Sequence, residues 1–300
     1  MLKTKCLLWL IIATTLATLG IAPRANALTF TTIDAPHGIN NTVAAGINIS
    51  GEIVGSFLDD LNSQGVHDHG FLIDENGPFT TIDHPRASPK PTEAFGINAS
   101  GQIVGVFEDD RGNHGFLRQK NGAFTTIDDP HAQAGSVVAL GINTSGKIVG
   151  IFQDDKGTHG FLRQKHGHFT TIDDPDAQEG STFARGINAS GQIVGNFSDA
   201  IGTHGFLRQK DGHFTTIDDP DAQGGKTFAQ GINTSGQIVG YFSNAQGTAT
   251  HGFFRDTNDT FTTFDVPNAE ATYALGINEN GKIVGKFQDA TGLHGFVATP

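Results

Sequence analysis

The sequence predicts an all-β protein: a six-bladed β-propeller of four-stranded antiparallel blades, its ring closed by an N-terminal strand that completes the last blade. Three observations carry this expectation. First, the string GINxSGxIVG recurs from Gly46, Gly96, Gly141, Gly186, Gly231 and Gly276, with Asn280 replacing the Ser in the last copy. Second, two more strings keep step with it: HGF from His69, His114, His159, His204, His251 and His294, and FTTID from Phe30, Phe79, Phe124, Phe169 and Phe214, with FTTFD from Phe261. Third, the two chain ends are out of phase with the repeat and complement one another. A period of about 45 residues with four strand-length segments matches one propeller blade.

Residues 1–27 read as a separate segment. Lys3 and Lys5 precede an apolar run from Cys6 to about Ala22, followed by Ala25-Asn26-Ala27, the small-residue pattern of a signal peptide cleaved after Ala27. The run falls short of the roughly 20 apolar residues that a membrane span needs and is interrupted by Thr14, Thr15, Thr18 and Gly20. Cleavage removes the only Cys, Trp and Met, so the mature chain, 28–300, has neither disulfides nor thiol chemistry. It is expected to be secreted or periplasmic, monomeric and without a membrane span.

Within one unit the strands are expected at 181–188, 192–197, 204–209 and 213–218. N-x-S-G, D-x-x-G and K-x-G stretches separate them, and each is tight-turn chemistry. The glycine content, 40 of 300 residues, suits such a meander. The mature chain opens with an orphan fourth strand, Phe30 to Asp34, while the last unit stops after its third strand at Val297. Pairing the two completes a blade and removes a frayed edge.

The motifs FTTID, GINxSGxIVGxF and HGF together resemble the bacterial extracellular repeats named HAF after their His-x-Phe signature, over residues 30–300. The resemblance implies an exported bacterial β-propeller of unassigned activity and supplies no catalytic or binding residues. This chain reads HGF at all six sites.

Charge excludes some functions. With 31 Asp and Glu against 19 Lys and Arg, the formal net charge is −12, which repels the phosphates of a nucleic acid. Strand alternation places most of the acids in the inter-blade loops and the second-to-third turns, which open on one face. Two readings of that face stand: a solvated rim with diffuse counterions, or Ca²⁺ bound by Asp173, Asp174, Asp176, Asp218, Asp219 and Asp221, where DDPDAQ occurs twice.

The six HGF histidines could ring a transition metal, but they begin the third strand, away from the channel, and are expected to join strands through the Asp or Thr of FTTID instead. Asn48, Asn98, Asn143, Asn188 and Asn233 start N-x-S/T sequons that read as turn residues. H-E-x-x-H and the phosphate-binding glycine strings are absent.

Variation on a repeated frame marks a candidate ligand surface. Just before each GIN glycine, on the innermost strand, stand Ala45, Phe95, Leu140, Arg185, Gln230 and Leu275. The favoured reading is a non-enzymatic extracellular or envelope binding module whose partner is an unidentified ligand or envelope protein. It would act through the acidic face, with Ca²⁺ as its one candidate cofactor. The alternative is an extracellular metal-assisted hydrolase or lyase with its site at the channel mouth.

Overall fold

The computed structural model describes residues 28–36, 38–59, 67–74, 77–87 and 91–300. The segment 1–27, expected to be a signal peptide, and most of the long loop at 60–68 lie outside these residues. Among them the chain forms 24 strands and one short 3₁₀ turn, Pro220–Ala222. In the fourth unit the strands are Thr182–Ile187, Ile193–Ser198, Thr203–Arg208 and Phe214–Ile217, each within a residue or two of its expected bounds. Every unit is an antiparallel meander, and the units stand side by side in a propeller arrangement.

The sheets differ from six separate blades. Four stand alone, spanning 42–82, 92–127, 138–172 and 182–217, and a fifth has eight strands. Two antiparallel sets make up this fifth sheet, the four strands of 226–264 and the three of 271–299 with Thr29–Ile33 added at the edge. One parallel pair, Thr250 with Ala271, joins them. The physical reason is local. The inter-unit loop runs beside the second-to-third turn in other units too, where the same contact appears as the isolated bridges Asn113–Ser136 and Thr158–Ser181. The strand Thr29–Ile33 pairs antiparallel with Gly292–Thr299, from Thr29 opposite Thr299 to Ile33 opposite Gly295.

The repeated letters each have a packing reason. The HGF phenylalanines Phe71, Phe116, Phe161, Phe206, Phe253 and Phe296 are fully buried. Space for each ring comes from the IVG glycine opposite: a Cβ at Gly150 would lie 2.8 Å from the ring of Phe161. Apolar clusters fill the gaps between neighbouring units. One joins Val149 and Ile172 of one unit to Ala184, Ile187, Ile193, Phe197 and Phe206 of the next. With no disulfide among these residues, such burial, at about 25 cal/mol per Å² of apolar surface, is the main stabilising term.

Two further repeated contacts surround the axis. Each GIN asparagine is buried, and its Oδ1 accepts backbone N–H groups within its own turn, as Asn143 does from Ser145 and Lys147. Its Nδ2 donates to the carbonyl of the next GIN asparagine: Asn48 to Asn98, Asn98 to Asn143, Asn143 to Asn188, Asn188 to Asn233, Asn233 to Asn278, and Asn278 back to Asn48, at 3.0 to 3.3 Å. The turn reading of these residues thus holds, and the side-chain amide adds a link to the next unit. The GIN glycine packs beside it. A Cβ at Gly141 would sit 2.8 Å from the Arg185 carbonyl, so only glycine allows the innermost strands to approach this closely.

The HGF histidines act as the strand links expected. His159 Nδ1 lies 2.8 Å from Asp173 of FTTID, and its Nε2 lies 3.1 Å from Asp154 in the second-to-third turn. The same Nδ1 contact recurs from His69 to Asp83, His114 to Asp128, His204 to Asp218, His251 to Asp265, and His294 to Asp34 across the two chain ends. Burial by itself lowers the pKa of His159 and His204. Hydrogen bonds and attraction from the two flanking carboxylates outweigh it, so both imidazoles end above their ordinary value.

Candidate ligand site in the central channel

The innermost strand of every unit carries a register shift at one place: Ala44/Gly46, Ala94/Gly96, Ala139/Gly141, Ala184/Gly186, Ala229/Gly231 and Ala274/Gly276. The residue inside each shift is the variable one. A bulge re-aims its side chain, and here it turns toward the axis. Phe95, Leu140, Arg185, Gln230 and Leu275, with Ala45, all line one central cavity of about 460 Å³. The structure therefore gathers every proposed channel residue, although they come from six different units.

The same cavity is lined by residues that the sequence reading missed, chiefly Glu93, Tyr241, Tyr273 and Lys286. A signal for them was available. They vary at two other positions of the frame, two residues before the bulge and between IVG and Phe. These positions face one another across the strand pair: Glu93 opposite Val106, Phe228 opposite Tyr241, and Tyr273 opposite Lys286. Residues at i and i+2 share a strand face, so three variable positions per unit converge on the axis.

The lining is unequal around the axis. On one side are Val43, Phe95, Val138, Leu140 and Ile151. On the other, Tyr241 stacks on Phe228 at 4.7 Å and meets Tyr273 edge-on at 4.9 Å. The Arg185 guanidinium lies over the Phe183 ring at 5.4 Å, and its Nε donates to Asn196 Oδ1 at 3.3 Å. Lys286 Nζ lies 5.1 Å over Tyr273.

Burial dominates the ionisation of these groups. It lowers the pKa of Arg185, with Tyr241 opposing, and lowers that of Lys286, with Glu93 opposing. It raises the Glu93 carboxyl to about 7; Asp68 adds to the rise and Lys286 resists it.

The aspartates proposed for Ca²⁺ have distinct local tasks. Asp173 and Asp218 accept from His159 and His204. Asp174 and Asp219 are buried and accept the backbone N–H of Asp176 and Asp221. Asp221 accepts the Thr263 hydroxyl. Asp219 Oδ2 is buried with no hydrogen-bond partner, and burial raises this carboxyl, which favours a proton there. Among the described residues no group of three or more His, Cys, Asp or Glu converges as a metal-ligand set. In the same residues no helix is long and apolar enough to cross a membrane.

No protein-family model and no curated protein matches the chain. Solved structures do. A putative TolB from Agrobacterium tumefaciens is 14% identical with a TM-score of 0.59, over 86% of this chain and 90% of that one. Virginiamycin B lyase from Staphylococcus aureus is 12% identical with a TM-score of 0.52, over 91% and 100%. A gluconolactonase from Xanthomonas campestris is 11% identical with a TM-score of 0.53, over 91% and 89%. At such identities the likeness is one of fold, and the fold of this chain is a β-propeller.

Proposed function

We propose that the mature chain 28–300 is an exported, non-enzymatic binding propeller of the HAF-type repeat kind that holds a small ligand in its central channel. In this reading the ring has six blades: the eight-stranded sheet counts as two, joined by the Thr250–Ala271 pair, and Thr29–Ile33 closes the last. The return of the asparagine links from Asn278 to Asn48 supports that closure.

One observation carries the functional reading. Residues that hold the blade together repeat almost without change, whereas the residues that differ from unit to unit meet in one cavity. Packing alone would not require a guanidinium, an ammonium, a carboxylate and two phenols at an axis whose equivalents in other units include Val43, Val106, Val138, Leu140 and Ile151. The test is a ligand screen by melting shift on 28–300 and on Arg185→Ala/Gln230→Ala. Hits that shift the first and not the second, with both folded, support the channel. Hits that shift both equally place binding elsewhere and overturn it.

A further inference from the structure

Taking that channel reading as its basis, we infer that the ligand class is an organic anion: one carboxylate-like head group on a flat apolar body, with the head group on Arg185 and the body against Phe95 and Leu140. The chain is strongly acidic overall, yet its axis holds two cations and one carboxylate. No Asp or Glu oxygen lies within ion-pair distance of either cation among the described residues. The contacts of Arg185 are Asn196 and the Phe183 face, and that of Lys286 is the Tyr273 face.

A half-buried guanidinium with one neutral hydrogen bond is costly, because its desolvation is not offset by a counter-charge. It is also preorganised to take a carboxylate, sulfonate or phosphate in a planar two-point contact. Glu93 does not serve as that counter-charge: its field acts on Lys286, and burial, by raising its carboxyl to about 7, leaves it only partly ionised at neutral pH. The aromatic and aliphatic walls account for the remainder. Phe95 and Leu140 present apolar surface within the same cavity, whose volume of about 460 Å³ accommodates a two-ring or three-ring molecule.

The test compares two fluorescent probes with nearly the same body, the anion 8-anilinonaphthalene-1-sulfonate and the neutral N-phenyl-1-naphthylamine. Each is titrated into 28–300, into Arg185→Met, and into Ala45→Trp, which places an indole in the channel without touching its charge. Melting curves first establish that each variant is folded. The expected result is tighter binding of the anion than of the neutral probe, loss of both in Ala45→Trp, and a loss of roughly 10-fold to 100-fold for the anion alone in Arg185→Met, the range for one charge-assisted contact.

Equal binding of both probes, blocked by Ala45→Trp and untouched by Arg185→Met, overturns the anion assignment and leaves the channel as a ligand site. Anion binding that survives Ala45→Trp lies outside the channel and overturns the assignment. Absence of saturable binding by either probe overturns both the assignment and the channel reading.

Discussion

Replacing Glu93 by Gln should stabilise the protein at alkaline pH and leave it unchanged in mild acid. Glu93 lies on an innermost strand, half-buried in the channel wall, with Asp68 nearby and Lys286 as its opposing charge. Its carboxyl rises from 4.5 to about 7 on folding. The folded state therefore binds this proton more tightly than the unfolded state does. Stability from this group is greatest below about 4.5, falls as pH rises toward 7, and is level above that.

A rise of this size corresponds to at most about 3 kcal/mol, and water in the open channel reduces it to roughly 1 to 3 kcal/mol. Part of the gain from Glu93→Gln is offset because Lys286 loses its attractive neighbour. For a chain of this length the difference in melting temperature should be about 2 to 5 °C at pH 8 and near zero at pH 4.5. Melting curves of both proteins at half-unit pH steps provide the check. A difference that is flat across this range, or a variant less stable at pH 8, would refute the account of Glu93 as a strained buried acid.

Three further outcomes follow from the frame. Asn143→Ala removes the Nδ2 link to Asn188 and leaves the turn N–H groups of Ser145 and Lys147 without their acceptor, so urea unfolding should show a loss of about 2 to 4 kcal/mol. The exposed Ser145→Ala should cost less than about 1 kcal/mol in the same assay. Deleting 28–34 removes the strand paired with Gly292–Thr299 and the His294–Asp34 contact, so the chain should melt at least about 10 °C lower and form aggregates detectable by light scattering. His159 and His204, raised by their carboxylates, contribute stability that is fully present below about 6.5 and is lost as pH rises through their folded values. The double variant His159→Gln/His204→Gln should accordingly lose more stability at pH 6 than at pH 8.5, measured by denaturant midpoints.

The repeat frame and the chemistry within each unit were legible in the letters. Strand bounds in the fourth unit, the turn role of Asn143 and the pairing of His159 with Asp173 all depend on residues within about 14 positions of one another, where alternation and turn preference act. The site was half legible. Arg185 and Gln230 stood out because their neighbours were constant, whereas Glu93, Tyr241 and Lys286 sit at positions whose inward aim depends on the bulge beside Gly96, Gly231 and Gly276.

Local letters thus specify the unit: its four strands, its turns, its histidine links and the fact that copies differ at a few places. The remainder arises from packing between units. Bringing Glu93 and Lys286 to one cavity, passing each asparagine amide to the next carbonyl, and merging two strand sets through Thr250 and Ala271 are set by rotation between neighbouring units. That rotation comes from side-chain packing such as Val149 against Ala184 and Phe206, a sum of many non-directional contacts that no short string encodes.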